Sequence, residues 1–267
     1  MTPSARRQFI SDHLEQAGAG TYDGLAAALG VSAMTIRRDL EGLVAAGRAI
    51  RTVGGVQRAA APSALLETAL HARLGVQREA KRAIARRALE LVTGRPTLFL
   101  DGSTTCLELA RLLARERQGL TIVTNSALVC LELGRGGGHA VTGLGGRYDP
   151  DSLSFVGAPA EDAAAALFVD LAFVSTKGFL PTKGTFESAL PNFRLKQIIA
   201  RQCGKLVLLA DHTKFGQRAL SKVLDPAQIH TVVTDQRPRR PDLAALAKAG
   251  CAVLVAAPAA GKASHAT

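Results

Sequence analysis

Val31-Ser32-Ala33-Met34-Thr35-Ile36-Arg37-Arg38-Asp39-Leu40, followed closely by Arg51-Thr52-Val53-Gly54-Gly55, is the stretch on which the reading of this chain turns. Ser32 suits an N-cap, and a helix is predicted from there to about Ala46, stopped by Gly47. At about 100° per residue, Ile36, Leu40 and Leu43 share one side and form a buried stripe. Met34, Arg38 and Glu41 point the opposite way, flanked by Thr35 and Arg37. An arginine on such a face can pair bidentately with guanine, and a methyl-bearing side chain can touch thymine. Arg48-Ala49-Ile50-Arg51-Thr52 and Val56-Gln57-Arg58 alternate around Gly54-Gly55, which predicts a hairpin. Its arginines suit phosphates or a minor groove. A solvated face with two arginines would share the helix pattern, so the flanking elements decide. Residues 5–17 carry Phe9, Ile10, Leu14 and Ala17 at helical spacing, and Thr21 can cap a short helix ended by Gly30. Two short helices, a turn, a third helix and a basic hairpin make a winged helix-turn-helix that places one helix in the major groove. The candidate DNA contacts are Ser32, Met34, Thr35, Arg37, Arg38, Arg48, Arg51, Gly54, Gly55 and Arg58.

The chain of 267 residues has room for two domains, and 47% hydrophobic residues make it globular. Its 33 Lys+Arg against 22 Asp+Glu leave a net charge of +11, which attracts polyanions without selecting a sequence. Codon bias could produce the same excess. Cys106, Cys130, Cys203 and Cys251 show no C-x-x-C spacing, so neither a zinc site nor a redox pair is indicated. No metal and no cofactor are expected. No apolar run approaches the ~20 residues of a membrane span, and no apolar signal core opens the chain, so a cytoplasmic location is expected.

Residues 59–66, with Ala59-Ala60-Ala61-Pro62-Ser63, read as a linker, and a basic helix is predicted from about Glu67 to Val92 with a break near Gly75. Beyond Pro96 short apolar runs recur at Thr97–Leu100, Leu120–Thr124, Ala140–Leu144, Leu171–Thr176, Lys205–Ala210, Thr231–Thr234 and Ala252–Val255, mostly separated by helical segments. That alternation predicts an α/β, Rossmann-like, mainly parallel sheet with helices on both faces. The expected organisation is residues 1–58 as the DNA-binding domain, 59–95 as linker and connecting helix, 96–256 as the sheet domain and 257–267 as a frayed tail.

In such sheets ligands bind beyond the carboxyl ends of the strands. Asp101-Gly102-Ser103-Thr104-Thr105 turns one strand into a helix, where free amides and hydroxyls converge as an anion site. Gly102 would let the backbone come close, and Asp101 could accept bonds from sugar hydroxyls. Thr124-Asn125-Ser126 repeats the arrangement. Gly145-Gly146-Arg147, Ser175-Thr176-Lys177-Gly178, Lys196 and the Lys214 turn (Asp211-His212-Thr213-Lys214-Phe215-Gly216) fall at the same edge. The candidate ligand residues are Asp101, Gly102, Ser103, Thr104, Thr105, Asn125, Ser126, Arg147, Lys177, Lys196 and Lys214.

The run Val31-Ser32-x-x-Thr35-Ile36-Arg37-Arg38-Asp39-Leu40, then Arg51-x-x-Gly54-Gly55, resembles the winged helix-turn-helix of the DeoR family of bacterial regulators. Glu79-x-Lys81, Asp101–Thr105, Thr124–Ser126, Gly145-Gly146, Lys196 and Asp211–Gly216 are similar to the sensor domain of that family, over roughly residues 4–235 in all. Val53 departs from the histidine or tyrosine usual before the Gly-Gly, Gly24 from a polar residue, and Thr213 from serine. The resemblance implies a sensor domain related to ribose-phosphate isomerases and coenzyme A transferases. It implies a phosphorylated sugar or related metabolite as effector, and dimers or tetramers assembled through the C-terminal domain. Asp101–Thr105, Asn125, Lys196 and Lys214 are the matching ligand positions.

Three functions compete. One is a repressor of a carbohydrate operon, binding a two-fold operator as two copies and released by a sugar phosphate. The second is a sugar-phosphate isomerase, for which Asp101, Glu187, Asp211 and Lys214 offer proton-moving groups. The third is a non-specific DNA-compacting protein. An isomerase has no use for residues 1–58, and a compacting protein leaves a seven-strand α/β domain unexplained. The expected protein is therefore a non-enzymatic regulator.

Overall fold

The computed structural model describes residues 2–17, 19–45, 49–52, 54–58, 74–187 and 190–257. Arg48, the predicted linker 59–66, the predicted helix up to residue 73 and the predicted tail beyond residue 257 lie outside them. The chain divides into two compact units, Met1–Ala69 and Leu70–Thr267.

The first unit comprises α1 (Pro3–Ala17), β1 (Ala19–Thr21), α2 (Tyr22–Leu29), α3 (Ala33–Ala45), β2 (Ala49–Thr52) and β3 (Gly55–Arg58). Thr21 caps α2 as the sequence predicts, its hydroxyl accepting from Gly24 N at 3.0 Å. Ile36 and Leu40 are fully buried and Leu43 nearly so, packed with Ile10, Leu14, Leu25 and Val56. Strand β1 was not predicted from the sequence: Ala-Gly-Thr is too short and too small to show alternation. It pairs antiparallel with β3, Thr21 opposite Gly55. A Cβ on Gly55 would sit 2.4 Å from Gly20 O, so this glycine is what lets the third strand approach.

The second unit is built on seven parallel strands in the order β15-β14-β12-β9-β4-β5-β6, and these match the seven apolar runs to within two residues at each end. They are β4 (Thr97–Leu100), β5 (Thr121–Thr124), β6 (Ala140–Gly143), β9 (Val169–Ser175), β12 (Cys203–Leu209), β14 (Thr231–Thr234) and β15 (Ala252–Val255). Side chains alternate between two cores, as the two-residue period of a strand requires. Leu98, Leu100, Phe173, Val207 and Leu209 face helices α4 (Arg78–Leu89), α5 (Thr104–Glu116) and α6 (Ala127–Gly134). Phe99, Ala172, Val174, Leu206 and Leu208 face α7 (Ala158–Ala165), α8 (Leu190–Arg201) and α9 (Arg240–Lys248). Burial of Phe99 or Phe173 is worth about 1.5–3 kcal/mol each. Helix α4 falls within the stretch expected as linker and connecting helix. It begins at Arg78, after Gln77 adopts φ 52°, and buries Ile84, Ala85, Ala88 and Leu89 in the core of the sheet.

The strand order reverses between β4 and β9, so their carboxyl ends open a crevice. Two small antiparallel sheets flank that edge. One is the hairpin β7 (Arg147–Asp149) and β8 (Ser154–Val156); the other joins β10 (Gly178–Leu180), β11 (Gly184–Glu187) and β13 (Ser221–Lys222).

Candidate functional site

On the first unit, Met34 is 68% exposed, and Arg37 and Arg38 stand out from α3 beside it. The Arg37 guanidinium carbon lies 5.0 Å from the centroid of the Tyr22 ring, so this cation is steered by an aromatic face. Ser32 and Thr35 lie at the helix start, where Ser32 Oγ accepts from Thr35 N at 3.2 Å and meets Thr35 Oγ1 at 2.9 Å. Their hydroxyls secure the first turn, which fixes the angle at which Met34 and Arg38 project. Asp39 is held by Arg6 through Nε–Oδ2 at 2.6 Å and Nη2–Oδ1 at 3.3 Å, both partners largely buried. That fork ties α1 to α3. Arg51 lies on β2 and Arg58 on β3, and Gly54 turns between them at φ 82°. Gly55 belongs to the strand and not to the turn, because it pairs with both Thr21 and Thr52.

In the second unit a cleft of about 550 Å³ opens at the reversal of the strand order. Of the predicted ligand residues it gathers Asp101, Gly102, Ser103, Thr104, Thr105, Asn125, Lys177, Lys196 and Lys214. Ser126 and Arg147 do not line it. Ser126 is buried and its hydroxyl caps α6, accepting from Val129 N at 3.3 Å. Arg147 is exposed on β7.

The loop after β4 is fixed by its own side chains. Asp101 accepts from Ser103 N (3.0 Å) and Ser175 N (2.9 Å), and Ser103 Oγ accepts from Cys106 N (3.1 Å). None of these bonds uses the amides of Thr104 and Thr105, which stand at the N-terminus of α5, where the helix dipole favours an anion. Gly102 also has a packing reason: a Cβ there would lie 2.0 Å from Ser154 Oγ, so its bareness admits the β7–β8 hairpin. That hairpin is further bound by Phe155 N to Asn125 O at 2.7 Å and Ala127 N to Leu153 O at 3.1 Å.

Lys196 is buried and its ammonium has three acceptors: Ser175 O at 2.6 Å, Glu187 Oε1 at 2.5 Å and Asp101 Oδ2 at 3.2 Å. An ammonium carries three protons, so its donors are used within the protein. Burial alone would lower its pKa; the charges of Glu187 and Asp101 and their hydrogen bonds outweigh this and hold it above the usual lysine range. One lysine between two carboxylates leaves this floor with a formal charge of −1. Lys214, 29% exposed, lies 4.0 Å from Asp211. Cys106, beneath the loop, has its thiol pKa raised first by burial and next by the charge of Asp101.

Asn125 is 3% exposed; its Nδ2 donates to Phe155 O at 3.3 Å, and its Oδ1 has no partner. An unpaired buried acceptor costs about 1–3 kcal/mol. The sequence reading of the site did not include Val76, Asp149, Asp151, Ser152, Ser154 and Glu187 as ligand residues, and all line the cleft. Lys81, noted there only in the family spacing, lines it too. The signals for the hairpin residues were present, since Asp149-Pro150-Asp151-Ser152 is a turn signature just before the largely apolar Leu153-Ser154-Phe155-Val156. Among the described residues no helix is long and apolar enough to cross a membrane.

Residues 6–61 match the model of the DeoR-like helix-turn-helix domain and residues 76–236 that of the DeoR C terminal sensor domain. The chain is 30% identical to the HTH-type transcriptional regulator GolR of Listeria innocua, over 89% of this chain and 92% of that protein. It is 29% identical to the glycerol-3-phosphate regulon repressor of Escherichia coli K12, over 89% of this chain and 93% of that one. Ribose 5 phosphate isomerase A from Neisseria gonorrhoeae superposes with a TM-score of 0.41 at 17% identity, covering 54% of this chain and 56% of the other.

Proposed function

Since this chain belongs to the DeoR family of transcriptional regulators, we propose that it represses a carbohydrate catabolism operon and leaves its operator when a phosphorylated sugar enters the cleft. The observation that carries this is the cleft itself, lined by Thr104 and Thr105 at a helix N-terminus and by Lys81, Lys177 and Lys214. Amides and cations together suit a phosphate, and the acceptors beside them suit hydroxyls. A relative named for the glycerol-3-phosphate regulon supports a phosphate-bearing effector.

Met34, Arg37 and Arg38 read base edges in this scheme, while Arg51 and Arg58 of the wing hold phosphates. Specific binding uses two copies on a two-fold operator. Effector and DNA oppose each other reciprocally, by about 5- to 150-fold in affinity.

Fluorescence anisotropy on an operator duplex selected from a random library tests the reading. Titration with triose, pentose and hexose phosphates is expected to weaken operator binding for at least one of them. Arg38→Ala is expected to cost about 1–3 kcal/mol on the operator and far less on random DNA. Lys214→Ala is expected to remove the effector response and keep operator binding. No response to any sugar phosphate, with operator binding intact, overturns the effector assignment. Turnover of pentose or hexose phosphates would favour an isomerase instead.

A further inference from the structure

Resting on the reading of the cleft as a sugar-phosphate site, we propose that Glu187 and Asn125 form its hydroxyl-reading floor. In this assignment Lys196 is the residue that positions Glu187 and does not touch the ligand. Glu187 is 7% exposed and lines the cleft. Its Oε1 takes Lys196, and among the described residues no other hydrogen bond reaches this carboxylate, so Oε2 is left for a ligand. Asn125 brings a second acceptor. Its amide cannot profitably turn over, because Nδ2 is committed to the Phe155 carbonyl, and Oδ1 is therefore the atom without a partner. Asp101 belongs to the same floor, already bonded to Ser103 N, Ser175 N and Lys196.

The floor therefore offers acceptors and withholds donors. Lys196 could have supplied donors, but its three protons are spent on Ser175, Glu187 and Asp101. A phosphate oxygen would meet only acceptors here, so the phosphate must sit at the helix N-terminus and the hydroxyl-bearing carbons over the floor. A site with polar groups placed to pair with hydroxyls discriminates strongly against an analogue that lacks them, because its own atoms are then left unpaired. The effector class is a phosphate ester whose carbon skeleton carries free hydroxyls.

Isothermal titration of the full chain with glycerol 3-phosphate, D-ribose 5-phosphate, D-glucose 6-phosphate, n-propyl phosphate and inorganic phosphate decides it. The wild type is expected to bind at least one hydroxyl-bearing ester about 10- to 100-fold more tightly than n-propyl phosphate, the range of one or two hydrogen bonds to charged or buried groups. Glu187→Gln and Asn125→Leu are each expected to narrow that gap about tenfold. Asn125→Leu leaves the Lys196 ion pairs in place and keeps the test decisive if Glu187→Gln fails to fold. Equal affinity for hydroxyl-bearing and hydroxyl-free esters, or a gap that survives both substitutions, overturns the inference while the phosphate site stands. Binding of none of these phosphates brings down the sugar-phosphate reading, and the floor with it.

Discussion

Replacing Lys196 with methionine separates a buried strut from a ligand-contacting cation. The substitution keeps most of the apolar stem and removes the ammonium, and with it the bonds to Ser175 O, Glu187 and Asp101. Two carboxylates are then left together in a buried place with no counter-ion. Removing one partner of a buried ion pair costs about 3–5 kcal/mol. In a unit of this size that lowers the melting temperature by roughly 6–20 °C. The pH dependence carries a second signature. In the wild type the folded-state pKa of Lys196 is raised, so its stabilisation is complete through neutral pH and is lost only as pH rises past the ordinary lysine range. The variant lacks that alkaline loss, so the deficit shrinks as pH rises past the ordinary lysine range. Calorimetry of both proteins at pH 7, 9 and 11 measures this. A deficit under about 1 kcal/mol at pH 7, or one that grows toward pH 11, refutes the strut. A lysine serving only as an anion contact would give that small loss together with complete loss of phosphate binding.

Asp39→Ala should destabilise the first unit by about 1.5–3 kcal/mol, since it removes the charged bonds that tie α1 to α3; denaturant titration followed by operator binding checks both consequences. Gly55→Ala puts a Cβ 2.4 Å from Gly20 O and should cost about 1–3 kcal/mol while loosening the wing, read as a loss of DNA affinity that is as large on random as on operator sequence. Cys106 should resist iodoacetamide at pH 8 in the folded protein, with Cys130, half-buried and less displaced, modified before it; mass spectrometry of digests gives the order.

Legibility in the sequence followed the range of the interactions. Ile36, Leu40 and Leu43 could be placed because helical period alone decides which face they occupy. The seven strands could be placed because a sheet covered on both faces demands continuous apolar runs, as in Thr97–Leu100 and Thr231–Thr234. Strand β1 was invisible, since its cause is the missing side chain of Gly55, over thirty residues away. The same limit applied to the cleft. The Asp101–Thr105 loop announces itself through local capping chemistry, whereas Glu187 arrives on an antiparallel strand paired with Ser221, over thirty residues away. Lys196 was found by position, but nothing in its neighbours along α8 reveals that Ser175, Glu187 and Asp101 lie within reach of its ammonium.

Val76 and Lys81 stand in the wall of the cleft, on either side of the left-handed residue Gln77. They come within eight residues of where the second unit is first described, on the polypeptide that runs back to the DNA reader. In the proposed scheme an effector in the cleft would lean on the first described stretch of the second unit. Its arrival would then have a covalent route out, one that starts at the backbone kink of Gln77 and need not be passed strand by strand across the seven-stranded floorboard beneath it.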